Sequence, residues 1–316
     1  MNPIVTYNGS RFSHGWLAFE LSVLRRLKFS SVALPFTGEP DLPLYLKRWN
    51  VRIAANDPML WSFTKATALI ENRSDSLSEE DFDLLLEDAY VPRDRQDNPA
   101  MSKWFNETDA WWFDNVRFNA ERFDSPFKRA LALTVGMMVG DYVLSFDEQT
   151  RQLREPLSLS KVFCQLAETL PPLVNNSLRN LCSEQDVRTF VAERLHTDLL
   201  FLRLPAPIIK SEPHRESLAW REEWLQGGDH FWSDFENKSA GMLGAPVQSK
   251  QQYLGFVEDL LLRAGQISSW ALMHTENGFI SGEELVDTVS RLRKVDAVYS
   301  KDFSDLLGVR ASIITA

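Results

Sequence analysis

Between Ser31 and Pro58 the chain passes through an apolar run (Val32-Ala33-Leu34) and a turn built on Pro35, Gly38 and Pro40. A helix-forming stretch from Leu42 to Trp49 follows, then a second apolar run (Val51 to Ala55) that ends at Asn56-Asp57. No other stretch restricts the fold as tightly. Strand, helix and strand joined this way make a βαβ unit, because the helix carries the chain back and the two strands then run parallel in one sheet. In an open α/β sheet the turn after the first strand and the residue ending the second meet at one crevice, where small ligands bind. An acid at the position of Asp57 can accept hydrogen bonds from both hydroxyls of a ribose. The same rhythm also occurs in domains that bind no nucleotide.

The rest of the chain supplies material to cover such a sheet. Apolar positions 16, 17, 21, 24 and 27 follow a helical period, so Trp16 to Lys28 reads as an N-terminal helix. After Asp57 the sequence turns mostly helical. Pro58 to Asn72 is apolar and helix-like, and Ser76-x-x-Glu79 and Ser78-x-x-Asp81 both have the spacing of a capping box. Tyr90 to Met101 reads as a loop. Trp104, Trp111 and Phe118 recur every seven residues; such a stripe could stack bases, but its helical spacing favours core packing. Arg129 to Val143 is an apolar helix whose Gly136 and Gly140, four apart, would let another element approach closely. Lys161 to Leu170 and Asp186 to Leu195 read as helices flanking an Asn-rich loop. Trp220 and Trp224 share a face of a short helix ending at Gly227-Gly228, and Asp229 to Gln248 reads as an irregular loop. An amphipathic helix (Gln252 to Arg263), a strand (Ile267 to Met273) and a helix opened by Ser281-x-x-Glu284 complete the chain.

Charge and cysteine content narrow the function classes. Lys and Arg number 34 against 44 Asp and Glu, a net charge of −10. Nucleic-acid affinity comes largely from counterions released as cations neutralise phosphates, so this balance argues against strong unaided DNA binding and leaves room for a local basic patch. Cys164 and Cys182 stand far apart without a C-x-x-C pairing, which argues against a disulfide framework or zinc cluster. His274 and Glu276 would share one strand face but have no third ligand, so no metal site is expected. The chain carries no signal-peptide pattern and no apolar run near ~20 residues, which points to the cytoplasm rather than a membrane. Walker-type, G-x-S-x-G and H-E-x-x-H motifs are absent.

The wording of the βαβ stretch, P-F-T-G-x-x-D-L-P-L-Y-L-K-R-W followed by A-N-D-P, resembles the cofactor-binding region of Dam-type DNA adenine-N6 methyltransferases. So does the upstream Tyr7-Asn8-Gly9-Ser10-Arg11, which is similar to their Y-x-G-S-K segment. Asp198 to Pro207 (DLLFLRLPAP) falls where the family has its catalytic D-P-P-Y strand, and the strand, turn and S-x-x-E helix near the C-terminus resemble the family's tail. The resemblance touches four separated segments and leaves the middle unmatched. It implies an α/β, Rossmann-like S-adenosylmethionine-dependent methyltransferase fold with a mostly helical insertion. Residues 1–60 and 196–316 would form the methyltransferase-like part, and residues 61–195 a target-recognition-like insertion. It also implies cofactor contacts from Tyr7, Gly9, Arg11, Pro35, Gly38 and Asp57.

The departures from the family pattern bear on chemistry. Arg203 stands at the catalytic acid, Leu204 at the first proline, Pro205 at the second, and Ala206 at the aromatic. In the family the acid accepts from the exocyclic amine of a flipped adenine and the aromatic stacks on the base. Arginine only donates, and alanine has no ring. Pro40 replaces the family's second glycine and Leu34 its acid before Pro-Phe. Asp198 begins its strand, the wrong end for a site at carboxyl termini, and Glu212 and Asp229 lack a flanking Pro-Pro-aromatic. With two motifs altered together, the sequence is expected to encode a catalytically degenerate member with no catalytic residues. It would serve as a non-catalytic subunit beside an active methyltransferase or nuclease, or as a DNA-associated component, with S-adenosylmethionine binding in doubt. The alternatives are an active nucleic-acid methyltransferase with an atypical site, and an interaction scaffold with no nucleic-acid role.

Overall fold

In the computed structural model, residues 4–5, 11–12, 14–146, 149–150, 156–209, 218–276 and 278–316 are described. A two-stranded antiparallel ribbon, β1 (Ile4–Val5) and β2 (Arg11–Phe12), precedes a seven-stranded sheet. The sheet contains β3 (Ser31–Leu34), β4 (Arg52–Asn56), β5 (Leu181–Ser183), β6 (Leu199–Arg203), β7 (Ser269–Glu276), β8 (Ala297–Phe303) and β9 (Val309–Thr315). Its order is β5-β4-β3-β6-β7-β9-β8. The first five strands in that order run parallel, and β9 runs antiparallel to both β7 and β8. The chain is therefore mixed α/β with a mostly parallel, Rossmann-like sheet.

The apolar runs form the central strands because both of their faces are covered. Along β6, Leu199 and Phe201 pack with the helices His14–Leu24 and Asp41–Arg48, while Leu200 and Leu202 pack with the helices Val187–Ala192, Lys250–Arg263 and Gly282–Ser290. A separate aromatic core, holding Trp61, Trp112, Phe113, Trp220 and Trp224, lies among the helices Glu79–Leu86, Glu107–Ala120, Pro126–Leu144, Leu159–Ala167 and Ala219–Gln226. Of the seven-residue stripe expected to pack in the core, Trp104 and Trp111 are half-buried and Phe118 faces solvent, where Arg93 stacks on it; the fully buried ring is the neighbouring Trp112. Gly136 and Gly140 do receive another element: the rings of Trp224 and Trp220 sit against them.

Several elements differ from the sequence reading. Of the two capping boxes, Ser78–Asp81 forms, with both reciprocal bonds made. The stretch 229–248 contains a helix, Trp232–Ser239, held by the burial of Trp232 among aromatic neighbours. The Asn-rich loop hands over to β5, which pairs with β4, so part of 61–195 belongs to the sheet. The helix Ala219–Gln226 from the C-terminal part joins the aromatic core instead. The β8–β9 pair had no counterpart in the sequence reading. The strand read as Ile267 to Met273 is registered at Ser269–Glu276.

Candidate functional site

The crevice lies where β3, β4 and β6 end. Leaving β3, the chain turns through Pro35 to Pro40, and Gly38 adopts φ +58°, a left-handed conformation that glycine reaches without steric penalty. Thr37 N and Oγ1 both donate to the Asn56 carbonyl, at 3.0 and 2.9 Å. The Asn56 amide donates to Pro35 O and Gln185 O, while its Oδ1 accepts from Ser183 Oγ and Gln185 N. Asn56 thus knots three loops together at the top of the sheet.

Asp57 extends this knot. It is 2% exposed; its Oδ2 accepts from Gly38 N at 2.8 Å and its Oδ1 from Met59 N at 3.0 Å. Burial outweighs these bonds and pushes its pKa up to about 6. Each of the Asp57 oxygens, expected to meet a ribose, accepts a hydrogen bond from the chain's own backbone. Pro35 is also buried, with its carbonyl taken by Asn56. Of the other expected cofactor contacts, Tyr7 and Gly9 lie outside the described residues, and Arg11 is placed by its backbone in β2, opposite Val5. Glu212 also lies outside the described residues.

Arg203 closes the end of β6. Its Nε and Nη2 donate to the two carboxylate oxygens of Glu20 at 2.8 and 2.7 Å, and its Nη1 donates to Thr37 O at 3.2 Å. The guanidinium therefore bridges the N-terminal helix, the strand end and the loop beside Gly38. Burial works against its charge, but the Glu20 carboxylate, with Asp41 nearby, outweighs burial and holds it protonated above its ordinary value. Glu20 is fully buried, so the pair is fixed from both sides. Leu204 N continues the ladder to Met273 O, Pro205 O accepts from the Tyr253 hydroxyl at 2.8 Å, and Ala206 is exposed.

A second ion cluster adjoins the first. Glu39 accepts from Lys65 at 2.9 Å and from Arg221 at 2.7 Å, and Arg221 also grips Asp141 through Nε and Nη2. Burial alone would raise Glu39, yet Lys65 and Arg221 pull it down to about 2. Asp41 is pushed the other way, by its burial and then by the Glu39 charge. Arg221 and Lys65 also lie over the Trp61 ring, at 5.0 and 5.6 Å. One residue on, Glu222 accepts from Leu60 N and Trp61 N, both at 3.0 Å, and so caps the helix Leu60–Ala66; burial pushes it up to about 7. Glu223 accepts from the indoles of Trp104 and Trp232 at 2.6 and 3.1 Å.

The sequence reading missed these three consecutive charged residues, all buried. A run of R-E-E resembles a solvated helix face. The two tryptophans, four apart, signalled only one buried face; the other sides are covered by the helices Leu60–Ala66 and Glu107–Ala120 and the turn Pro99–Lys103.

The other candidates fall elsewhere. Asp198 sits at the start of β6, where its Oδ2 accepts from Ser30 N, Ser30 Oγ and Ser31 N. Asp229 pairs with Lys103. Buried His274 shares its Nε2 with Ile280 O at 3.0 Å, and no group of three His, Cys, Asp or Glu among the described residues is placed to hold a metal. Both cysteines are free thiols. No helix of the described residues is long and apolar enough to cross a membrane. No protein-family model matches the chain, and no curated protein matches its sequence.

Proposed function

We propose that the chain is a methyltransferase-like α/β domain that no longer transfers methyl groups, acting as a non-catalytic subunit or a DNA-associated component. One observation carries the reading: the Arg203 guanidinium lies at the crevice, bound bidentately to buried Glu20 and to Thr37 O next to Gly38. A working amine-methylating site needs an acceptor there. This site instead holds a donor, and its N–H groups are spent on Glu20 and Thr37. The buried Asp57, each oxygen accepting from the chain's own backbone, is in keeping with a weakened ribose contact.

The sheet order supports the fold half of the proposal. Numbered within the large sheet alone, it reads 3-2-1-4-5-7-6 with the last strand reversed. That differs from the dinucleotide-binding order 3-2-1-4-5-6 by one inserted antiparallel strand, the arrangement implied by the methyltransferase resemblance.

The test is incubation of the purified chain with labelled S-adenosylmethionine and adenine-containing DNA, alongside titration calorimetry with the cofactor. No label transfer and no binding heat are expected. Transfer of label to adenine would overturn the proposal in favour of an active enzyme with an atypical site.

A further inference from the structure

The opposite end of the sheet carries an uncommitted charge. The segments entering β3, β4 and β6 lie side by side: Arg52 N donates to Ser30 O, Arg52 Nη2 contacts His196 O, and Asp198 accepts from Ser30. Exposed Arg25, Arg26, Lys28, Arg48, Arg52 and Arg73 gather on these segments and on the neighbouring end of the helical stretch after β4. Among the described residues, none of the six has a carboxylate within ion-pair distance, although acids outnumber bases in the chain as a whole. Cations elsewhere are mostly matched, as Arg122 is with Glu87 and Lys250 with Glu284. Arg48 ends its helix and there complements the helix dipole; Arg25, Arg26 and Lys28 lie past the end of theirs.

Aromatic rings are interleaved with these cations. Arg25 stacks over Trp49 at 5.2 Å, Arg26 over Tyr299 at 5.2 Å and Arg48 over Tyr45 at 5.3 Å. A guanidinium stacked on a ring keeps its planar set of N–H donors, which can grip a phosphate bidentately. Tyr45 is 39% exposed and offers a ring to a sugar or base.

We infer that this N-terminal edge of the sheet is a docking surface for a nucleic-acid phosphate backbone, separate from the closed crevice. Five arginines to one lysine, with aromatic rings between them, fit phosphodiesters and stacked bases better than a lipid surface, which calls for an apolar face to insert. The inference deepens the DNA-associated part of the proposed function and rests on different residues.

The experiment is fluorescence anisotropy with labelled duplex and single-stranded oligonucleotides of about 20 nucleotides. A surface neutralising about five phosphates gives a slope of log K against log salt near −4.5, about a 500-fold loss of affinity between roughly 50 and 200 mM salt. Replacing Arg25, Arg26, Lys28 and Arg48 together by Gln should bring the slope to about −1 and weaken binding at least about tenfold. The matched control Arg122→Gln with Lys250→Gln should change neither. If circular dichroism shows the fourfold variant unfolded, Arg26→Gln and Lys28→Gln singly decide the matter, each lowering the slope by about 0.9. Absence of oligonucleotide binding at low salt overturns the inference. So does an unchanged slope in folded variants, or binding confined to phosphatidylcholine vesicles containing phosphatidylserine. Methyl transfer in the earlier assay would end the proposed function and leave this surface standing; failed oligonucleotide binding would do the reverse.

Discussion

Replacing Gly140 by Ala tests the junction on which the aromatic core depends. A Cβ at Gly140 would lie 2.1 Å from Cη2 of Trp220 and 2.6 Å from two further ring carbons. Carbon contacts settle near 3.5–4.0 Å, so the ring would have to retreat by roughly 1.4 Å. It has nowhere to go: Trp220 is fully buried, with Phe105 and Phe113 edge-on at 5.5 and 5.8 Å and Trp224 at 6.3 Å. Overpacking of this kind costs about 1–3 kcal/mol or more, and alanine returns about 1 kcal/mol of helix propensity. A net loss of up to about 2 kcal/mol is expected, which in a chain of 316 residues lowers the melting temperature by up to roughly 3 °C. Gly255 supplies the opposite sign from the same substitution. It sits inside the helix Lys250–Arg263 with nothing within 4 Å of a built Cβ, so Gly255→Ala should add about 0.5–1 kcal/mol. Calorimetric melting and urea titration read both. A Gly140→Ala protein that melts as high as the parent would refute the packing argument. If Trp220→Phe fails to relieve Gly140→Ala in the double variant, the clash is not the cause.

Three further expectations follow from single sites. Arg203→Met leaves Glu20 as a buried, unpaired carboxylate and should cost about 3–5 kcal/mol, most of it recovered on adding Glu20→Leu; urea midpoints of the three proteins check this. Glu222 at about 7 and Asp57 at about 6 both lie above their unfolded values, so the folded chain holds these protons more tightly. Stability should therefore increase as pH falls from about 8 to 5, by a few kcal/mol at most, and Glu222→Gln should flatten the upper part of that slope in melts across the range. Ser78→Ala should cost about 1 kcal/mol by removing the cap of Glu79–Leu86, whereas Ser76→Ala should change the melt little.

The sequence by itself determined the βαβ start, the central strands and most helices. Those features rest on local patterns: the doubly apolar runs of β3 and β6, the turn at Gly38, and the four-residue spacing shared by Gly136 with Gly140 and Trp220 with Trp224. Arg203 was expected at the crevice only through the resemblance of Asp198 to Pro207 to the family's catalytic strand, and the end of β6 is where it stands. Tertiary structure alone decided which groups each polar residue serves. Asp57 became a loop staple because Gly38 N and Met59 N bond to it, and the R-E-E run became buried ion pairs and caps because Leu60–Ala66, Pro99–Lys103 and Glu107–Ala120 pack around its helix. A charged side chain looks the same in sequence whether water or another element surrounds it, and only the packed neighbours fix that difference.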